Sequence, residues 1–183
     1  MNVFVLNPGR CGSLTFFKAC QHITNFSCGH ETKTSHHGQE RFVFPENHIE
    51  IDNRLSWFLG SLARNYDDRD VFYVKLVRDS EKIAKSWLKR WNTINFSLTM
   101  IKHFAHGVIM RSDAYTEDQM LDVCHYYVQT VYDNIDEFIK TRRHMTVFLE
   151  DGGHTFSKFL TEINASGDLD FARKTWGIVH NQS

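Results

Sequence analysis

At 183 residues, 42% of them hydrophobic and 14% aromatic, the chain is long enough to bury one substantial core and too short for two ordinary domains, so a single domain spanning 1–183 is expected. Twenty-one basic against 22 acidic side chains leave a net charge of −1, which gives no global field to draw in nucleic acid or a membrane surface. Any anion site has to come from local grouping, and the expected partner is small.

Val3 to Leu6 is an apolar run too short for a signal-peptide core or a membrane helix, and no basic region or small-residue cleavage site accompanies it. A cytoplasmic protein without a membrane span is expected. Cys11, Cys20, Cys28 and Cys124 show no paired framework and read as free thiols. The Asn-x-Ser sequons at Asn25, Asn95 and Asn164 matter only in a secretory lumen and read as chance.

In chain order, strand signals rich in Val, Phe and Ile fall at Asn2 to Leu6, Phe42 to Phe44, His48 to Ile51, Val71 to Val77 and Met145 to Leu149. Val71 to Val77 is apolar at nearly every position but Lys75, the pattern of a strand covered on both faces. Helical faces lie between them. Phe16, Phe17, Cys20 and Ile23 form one, Leu55, Phe58, Leu59 and Leu62 a second. Ser80 reads as the N-cap of a helix through Arg90, and Thr116-Glu117-Asp118-Gln119 as a capping box for a helix reaching Lys140. The His-rich segment from Glu31 to Arg41 reads as a long loop. Strands alternating with helices predict an α/β domain, a mainly parallel central sheet flanked by helices, with ligands at the carboxyl ends of its strands.

Two candidate anion sites fall on that edge. After the first strand, Asn7-Pro-Gly-Arg-Cys-Gly-Ser-Leu-Thr15 makes a glycine turn into a helix near Ser13, which points unpaired amides and a helix dipole at one spot, with Arg10 beside them. The ATP and GTP version, Gly-x-x-x-x-Gly-Lys-Ser/Thr, puts a lysine on the phosphates and a hydroxyl on magnesium; this loop lacks that lysine. After the central strand comes Arg78, with Ser86 eight residues on and Arg90 four beyond that on the same helical face, a group suited to a second phosphate.

The pair of motifs resembles the sulfotransferases that use 3′-phosphoadenylyl sulfate (PAPS), a family with a P-loop-like fold. The resemblance implies that Gly9, Arg10, Cys11, Gly12, Ser13, Leu14 and Thr15 grip the 5′-phosphosulfate while Arg78, Ser86 and Arg90 grip the 3′-phosphate, with PAP the product and no metal required. Cys28-Gly29-His30-Glu31-Thr32 is similar to a Cys-Gly-Glu-Glu-Thr segment of the tyrosylprotein sulfotransferase branch, which puts Glu31 in register with a catalytic glutamate. Val147-Phe148-Leu149-Glu150-Asp151 resembles the family's late strand, and Arg173-Lys174-Thr175-Trp176-Gly177 its C-terminal basic segment near the 3′-phosphate. The chain departs from the family at Leu14, where a second hydroxyl is usual, at Ser80, which replaces a proline or glycine, and at His30, which replaces the first glutamate.

What the resemblance implies is sulfuryl transfer from PAPS to a hydroxyl, or less readily an amine, of a small-molecule, saccharide, lipid or peptide acceptor. Glu31 is then the base, Arg10 and the loop amides carry the charge that develops, and Arg54 is a further cation at the sulfonate. A carboxylate is a weak base at neutral pH and needs partial burial or a tightly held acceptor for that task. Two other readings stand beside it, a nucleotide kinase of the same architecture and a nucleotide-binding module without turnover. Zinc held by Cys28, His30, His36 and His37 fits no established ligand spacing. Trp87 and Trp91 read as packing residues with an alternative role over adenine, and Tyr126, Tyr127 and Tyr132 as packing residues.

Overall fold

The computed structural model describes residues 1–91, 99–111 and 113–178; the sequon at Asn95 lies outside them. Five parallel strands form one sheet: β1 Asn2–Leu6, β2 Ser27–His30, β3 His48–Ile51, β4 Val71–Val77 and β5 His144–Phe148, in the order β2-β3-β1-β4-β5. Around it lie α1 Ser13–Cys20, α2 Leu59–Tyr66, α3 Ser80–Trp91, α4 Met100–His103, α5 Glu117–Ile139, α6 His154–Glu162 and α7 Leu169–Trp176. The chain folds as a single α/β domain, as its alternating pattern predicts.

β1 is central because its apolar run can be covered everywhere: Val3, Phe4, Val5 and Leu6 are fully buried, and β1 pairs with β3 on one side and β4 on the other. Its side chains alternate between two faces. Phe4 packs against Tyr66 of α2 at 4.6 Å between ring centroids, and Tyr73 beside it meets Phe138 of α5 at 5.0 Å. On the opposite face α1, α6 and α7 share a cluster of Phe16, Phe156, Phe159 and Trp176.

Several boundaries differ from the sequence reading. Phe42 to Phe44 is not a strand; a 3-10 turn over Gly38–Phe42 ends there with Phe42 buried, its carbonyl taken by the Tyr66 hydroxyl at 2.8 Å. The missing strand is β2, a polar Ser-Cys-Gly-His segment at the sheet edge, paired among the described residues with β3 alone. The Leu55 to Leu62 stretch divides into a 3-10 turn, Asn53–Trp57, and α2, leaving Phe58 at the junction and 41% exposed. The helix after β4 is capped by Asp79, whose Oδ1 accepts from the Lys82 amide at 2.9 Å; Ser80 is already helical. The capping box at Thr116 and Gln119 is formed as read.

From β1 the chain moves toward β2, and from β4 toward β5. The connections therefore diverge between β1 and β4, which opens a crevice at the carboxyl ends of those two central strands.

Candidate active site

The loop from Asn7 to Gly12 is shaped from within and from below. Asn7 is fully buried, and its Oδ1 accepts from the Gly9 amide at 2.9 Å and from the Cys11 thiol at 3.1 Å. Ser56 Oγ accepts from the Asn7 amide and donates to the Asn7 carbonyl, each at 3.1 Å, and Trp87 Nε1 donates to the Pro8 carbonyl at 3.2 Å. Gly9 and Gly12 hold φ of 78° and 92°, and side chains there would drive into Trp87 and Leu149 respectively. Gly12 offers α1 no side-chain cap, so the first amides of that helix face the crevice with no capping oxygen.

Arg10, Ser86 and Arg78 interlock. Arg10 Nε donates to Ser86 Oγ at 2.8 Å, and an Arg78 guanidinium nitrogen donates to the Arg10 carbonyl at 2.9 Å. Burial, then Arg90, then Arg78 press the Arg10 guanidinium below its ordinary range. Three arginines thus concentrate positive potential on one spot.

A cavity of about 730 Å³ opens there, within the size range of small-molecule and cofactor sites. Its wall includes Arg10, Gly12, Ser13, Leu14 and Thr15 from the first loop and helix, Arg78 and Ser86 from the second motif, and Arg173 from α7. Lys82, Lys85 and Lys89 add one face of α3, so among the described residues six cationic side chains line the cavity against one carboxylate, Glu150. Lys82 hydrogen-bonds that carboxylate at 2.6 Å and is the main reason its pKa lies below the ordinary value.

The three lysines do not stand out in the sequence as site residues. Their spacing around Ser86 was the available signal, yet lysines on a helix normally mark a solvated face. Within segments the motifs already single out, Asn7 supports the loop and Leu149 and Trp176 line the cavity, roles that the sequence patterns do not specify.

Other candidates lie outside the cavity wall. Cys11 is fully buried, with its thiol pushed up to about 12 by burial, so its side chain is a structural element of the loop and not a ligand contact. Gly9 lies on the side of the loop that faces Trp87 and Asn53. Arg90 acts on Arg10 through its charge without lining the cavity, and Lys174 is exposed beyond it.

Glu31 and Arg54 stand together on the other side of the loop, beyond the ends of β2 and β3. Their charged groups pair at 2.8 Å. Burial opposes the Arg54 charge, but Glu31 and then Asp52 outweigh it and hold the guanidinium above its ordinary value. His30 connects this side to the first loop, with Nε2 at 3.1 Å from Ser13 Oγ. The Cys28 thiol faces the Phe17 carbonyl at 3.9 Å, and among the described residues no three His, Cys, Asp or Glu side chains gather as a metal site.

No family model matches the sequence, and no curated protein matches it. Among solved structures, the crystal structure of mouse sulfotransferase SULT7A1 complexed with PAP aligns over 99% of this chain and 60% of that one, with a TM-score of 0.51 and 12% identity. The chain has a sulfotransferase-like fold. It spans less than two thirds of the length of that neighbour, and the likeness is one of architecture. No helix among the described residues is long and apolar enough to cross a membrane.

Proposed function

We propose that the chain is a PAPS-dependent sulfotransferase, with the donor held in the cationic cavity and the acceptor approaching from the Glu31 side. The observation that carries this reading is the convergence of Arg10, Arg78 and Ser86 with the uncapped start of α1 around one cavity at the divergence of β1 and β4. A donor with phosphate at both 3′ and 5′ positions, and sulfate on the latter, suits a wall bearing six cations and one carboxylate. The likeness to a sulfotransferase that binds PAP supports the same ligand here.

In this scheme Arg78, Ser86 and Arg173, with Lys82, Lys85 and Lys89 around them, hold the 3′-phosphate end. Arg10, Ser13 and the first amides of α1 hold the phosphosulfate and stabilise the negative charge that grows on the bridging oxygen as its bond to sulfur breaks. Glu31 accepts the proton of the attacking acceptor hydroxyl, and Arg54, paired with it, orients that carboxylate and faces the sulfonate. Leu14 lines the cavity where a second hydroxyl would otherwise serve, so Ser13 and Thr15 supply the side-chain hydroxyls.

A nucleotide kinase of this architecture would need a lysine and hydroxyl after the loop glycine, where this chain has Ser13 and Leu14. A second reading, a nucleotide-binding module without turnover, rests on the engagement of Glu31 with Arg54 outside the donor cavity.

The test is transfer of labelled sulfate from PAPS across a panel of hydroxyl and amine acceptors, in the presence of EDTA. The wild-type chain transfers to one acceptor class. Glu31→Gln lowers kcat by roughly 100-fold or more, within the usual contribution of a general base. Donor binding with no transfer to any acceptor would favour the non-catalytic module, and full activity of Glu31→Gln would remove Glu31 from the mechanism.

A further inference from the structure

β3 alternates Ile49 and Ile51 on one face with His48 and Glu50 on the other, Asp52 follows in extended conformation just past the strand, and all five are buried. Three buried titratable side chains in a row are costly unless each is paired. Here each holds part of the chain that carries Glu31 and Arg54. The Glu50 carboxylate, fully buried, accepts from the Thr32 amide at 2.8 Å on one oxygen and from the Thr32 hydroxyl at 2.7 Å on the other. His48 Nε2 lies 2.9 Å from the same carboxylate, and His48 Nδ1 lies 2.8 Å from Ser27 Oγ at the start of β2. Gly29 makes room for this grip: a Cβ there would stand 2.5 Å from Glu50 Oε2.

Asp52 completes the row. It accepts from the Arg54 amide at 2.8 Å and pairs with buried Arg41 at 3.3 Å, while Arg41 also donates to the carbonyls of Lys33, Thr34 and His36. Burial is the largest influence on Asp52 and raises its pKa, so the pair survives against a real desolvation cost.

Between these anchors Glu31 adopts φ of 55°, a left-handed conformation that costs a non-glycine residue about 1–2 kcal/mol and persists only when its surroundings over-determine it. Its amide is fixed to the Ile51 carbonyl at 3.1 Å, its carboxylate to Arg54, and the next residue to Glu50. We infer that Glu50, acting through Thr32, is a positioning residue that holds Glu31 in this conformation and aims its carboxylate at the acceptor. The inference rests on the reading of Glu31 as the base. It adds that this aim is set from the buried face of β3, apart from the donor cavity.

The experiment compares Glu50→Gln, Thr32→Val, Thr32→Ser and the Glu50→Gln/Thr32→Val double variant, all confirmed folded by thermal unfolding. For each, kcat, the Kd of adenosine 3′,5′-bisphosphate by calorimetry, and amide exchange over residues 30–33 are measured. Thr32→Val lowers kcat roughly tenfold to a hundredfold, the scale of a misaimed catalytic group. The bisphosphate Kd stays within about threefold, as expected for an independent site. Exchange of the Thr32 amide speeds up by about tenfold in Glu50→Gln, equivalent to one weakened hydrogen bond. Thr32→Ser, which keeps both bonds, recovers the activity, and the double variant loses no more than the worse single one. If Glu50→Gln does not fold, the Thr32 pair carries the test. Unchanged kcat in Thr32→Val, or a bisphosphate Kd that weakens in step with kcat, overturns the inference while leaving the parent reading intact. A wild-type chain that neither binds the bisphosphate nor transfers sulfate overturns the parent reading, and this inference with it.

Discussion

Arg10 and Glu31 stand at φ of 57° and 55°, the left-handed region that glycine enters freely and other residues avoid. Each is held there by neighbours distant in sequence: Arg78 on the Arg10 carbonyl and Ser86 on its guanidinium, Arg54 and the Ile51 carbonyl on Glu31. Arg78 thus has two tasks, supporting the loop and presenting charge to the cavity, and the tasks can be separated by ligand. Arg78→Ala should weaken adenosine 3′,5′-bisphosphate by roughly 10- to 100-fold, the size of a lost charge-assisted hydrogen bond, and 5′-AMP by much less. Calorimetry with both nucleotides checks this. Equal losses would make Arg78 a support for the loop and not a contact for the 3′-phosphate.

Among the elements, β5 and α6 form the outer wall of the cavity through the turn at Glu150 to Gly153. Asp151 shapes that turn, accepting from the Gly153 amide at 3.0 Å and the Thr155 amide at 2.8 Å. Burial alone would raise its carboxyl, but the Thr155 and Gly153 hydrogen bonds outweigh that and hold its pKa below the ordinary value. A depressed carboxylate stabilises the fold above its unfolded pKa, near ~3.9, and loses that contribution as pH falls through the lower folded value. Asp151→Ala should therefore cost about 1 kcal/mol at pH 7, as for other helix-start caps, and the gap to wild type should close as pH drops below about 4. Urea unfolding at the two pH values measures it, and a gap that widens in acid would contradict the assignment.

The elements also show which signals survive in sequence. β1 and β4 are legible because strands buried on both faces leave continuous apolar runs, and α5 because its capping box is spelled out in four residues. β2 is not, since Ser27–His30 has no apolar pattern and owes its conformation to pairing with β3 alone. Phe42 to Phe44 misleads in the opposite sense: its aromatic content suits a strand, while a buried 3-10 turn can use the same ring. Arg10, Arg78 and Ser86 can be read as a site because spacing relative to strand ends determines where they emerge. Glu50 cannot, because a glutamate alternating with isoleucines reads as solvent-facing until the edge strand and Thr32 cover it.

At the scale of the whole molecule, the sheet order separates two jobs. The β4 and β5 side, with α3 and α7, supplies the cationic cavity; the β2 and β3 side supplies Glu31 and Arg54; the loop after β1 stands between them, linked to both by Arg78 and by His30. Under the proposed function, a transferring group lodged at Arg10 and Ser13 would meet donor support from one side and the Glu31 carboxylate from the other. The most direct measurement is calorimetric titration of the wild-type chain with adenosine 3′,5′-bisphosphate, 5′-AMP and magnesium ATP at two salt concentrations. The bisphosphate is expected to bind best, by roughly tenfold or more over 5′-AMP, without metal and with affinity that falls as salt rises. Equal affinity for the bisphosphate and 5′-AMP, or tighter binding of magnesium ATP, would contradict it.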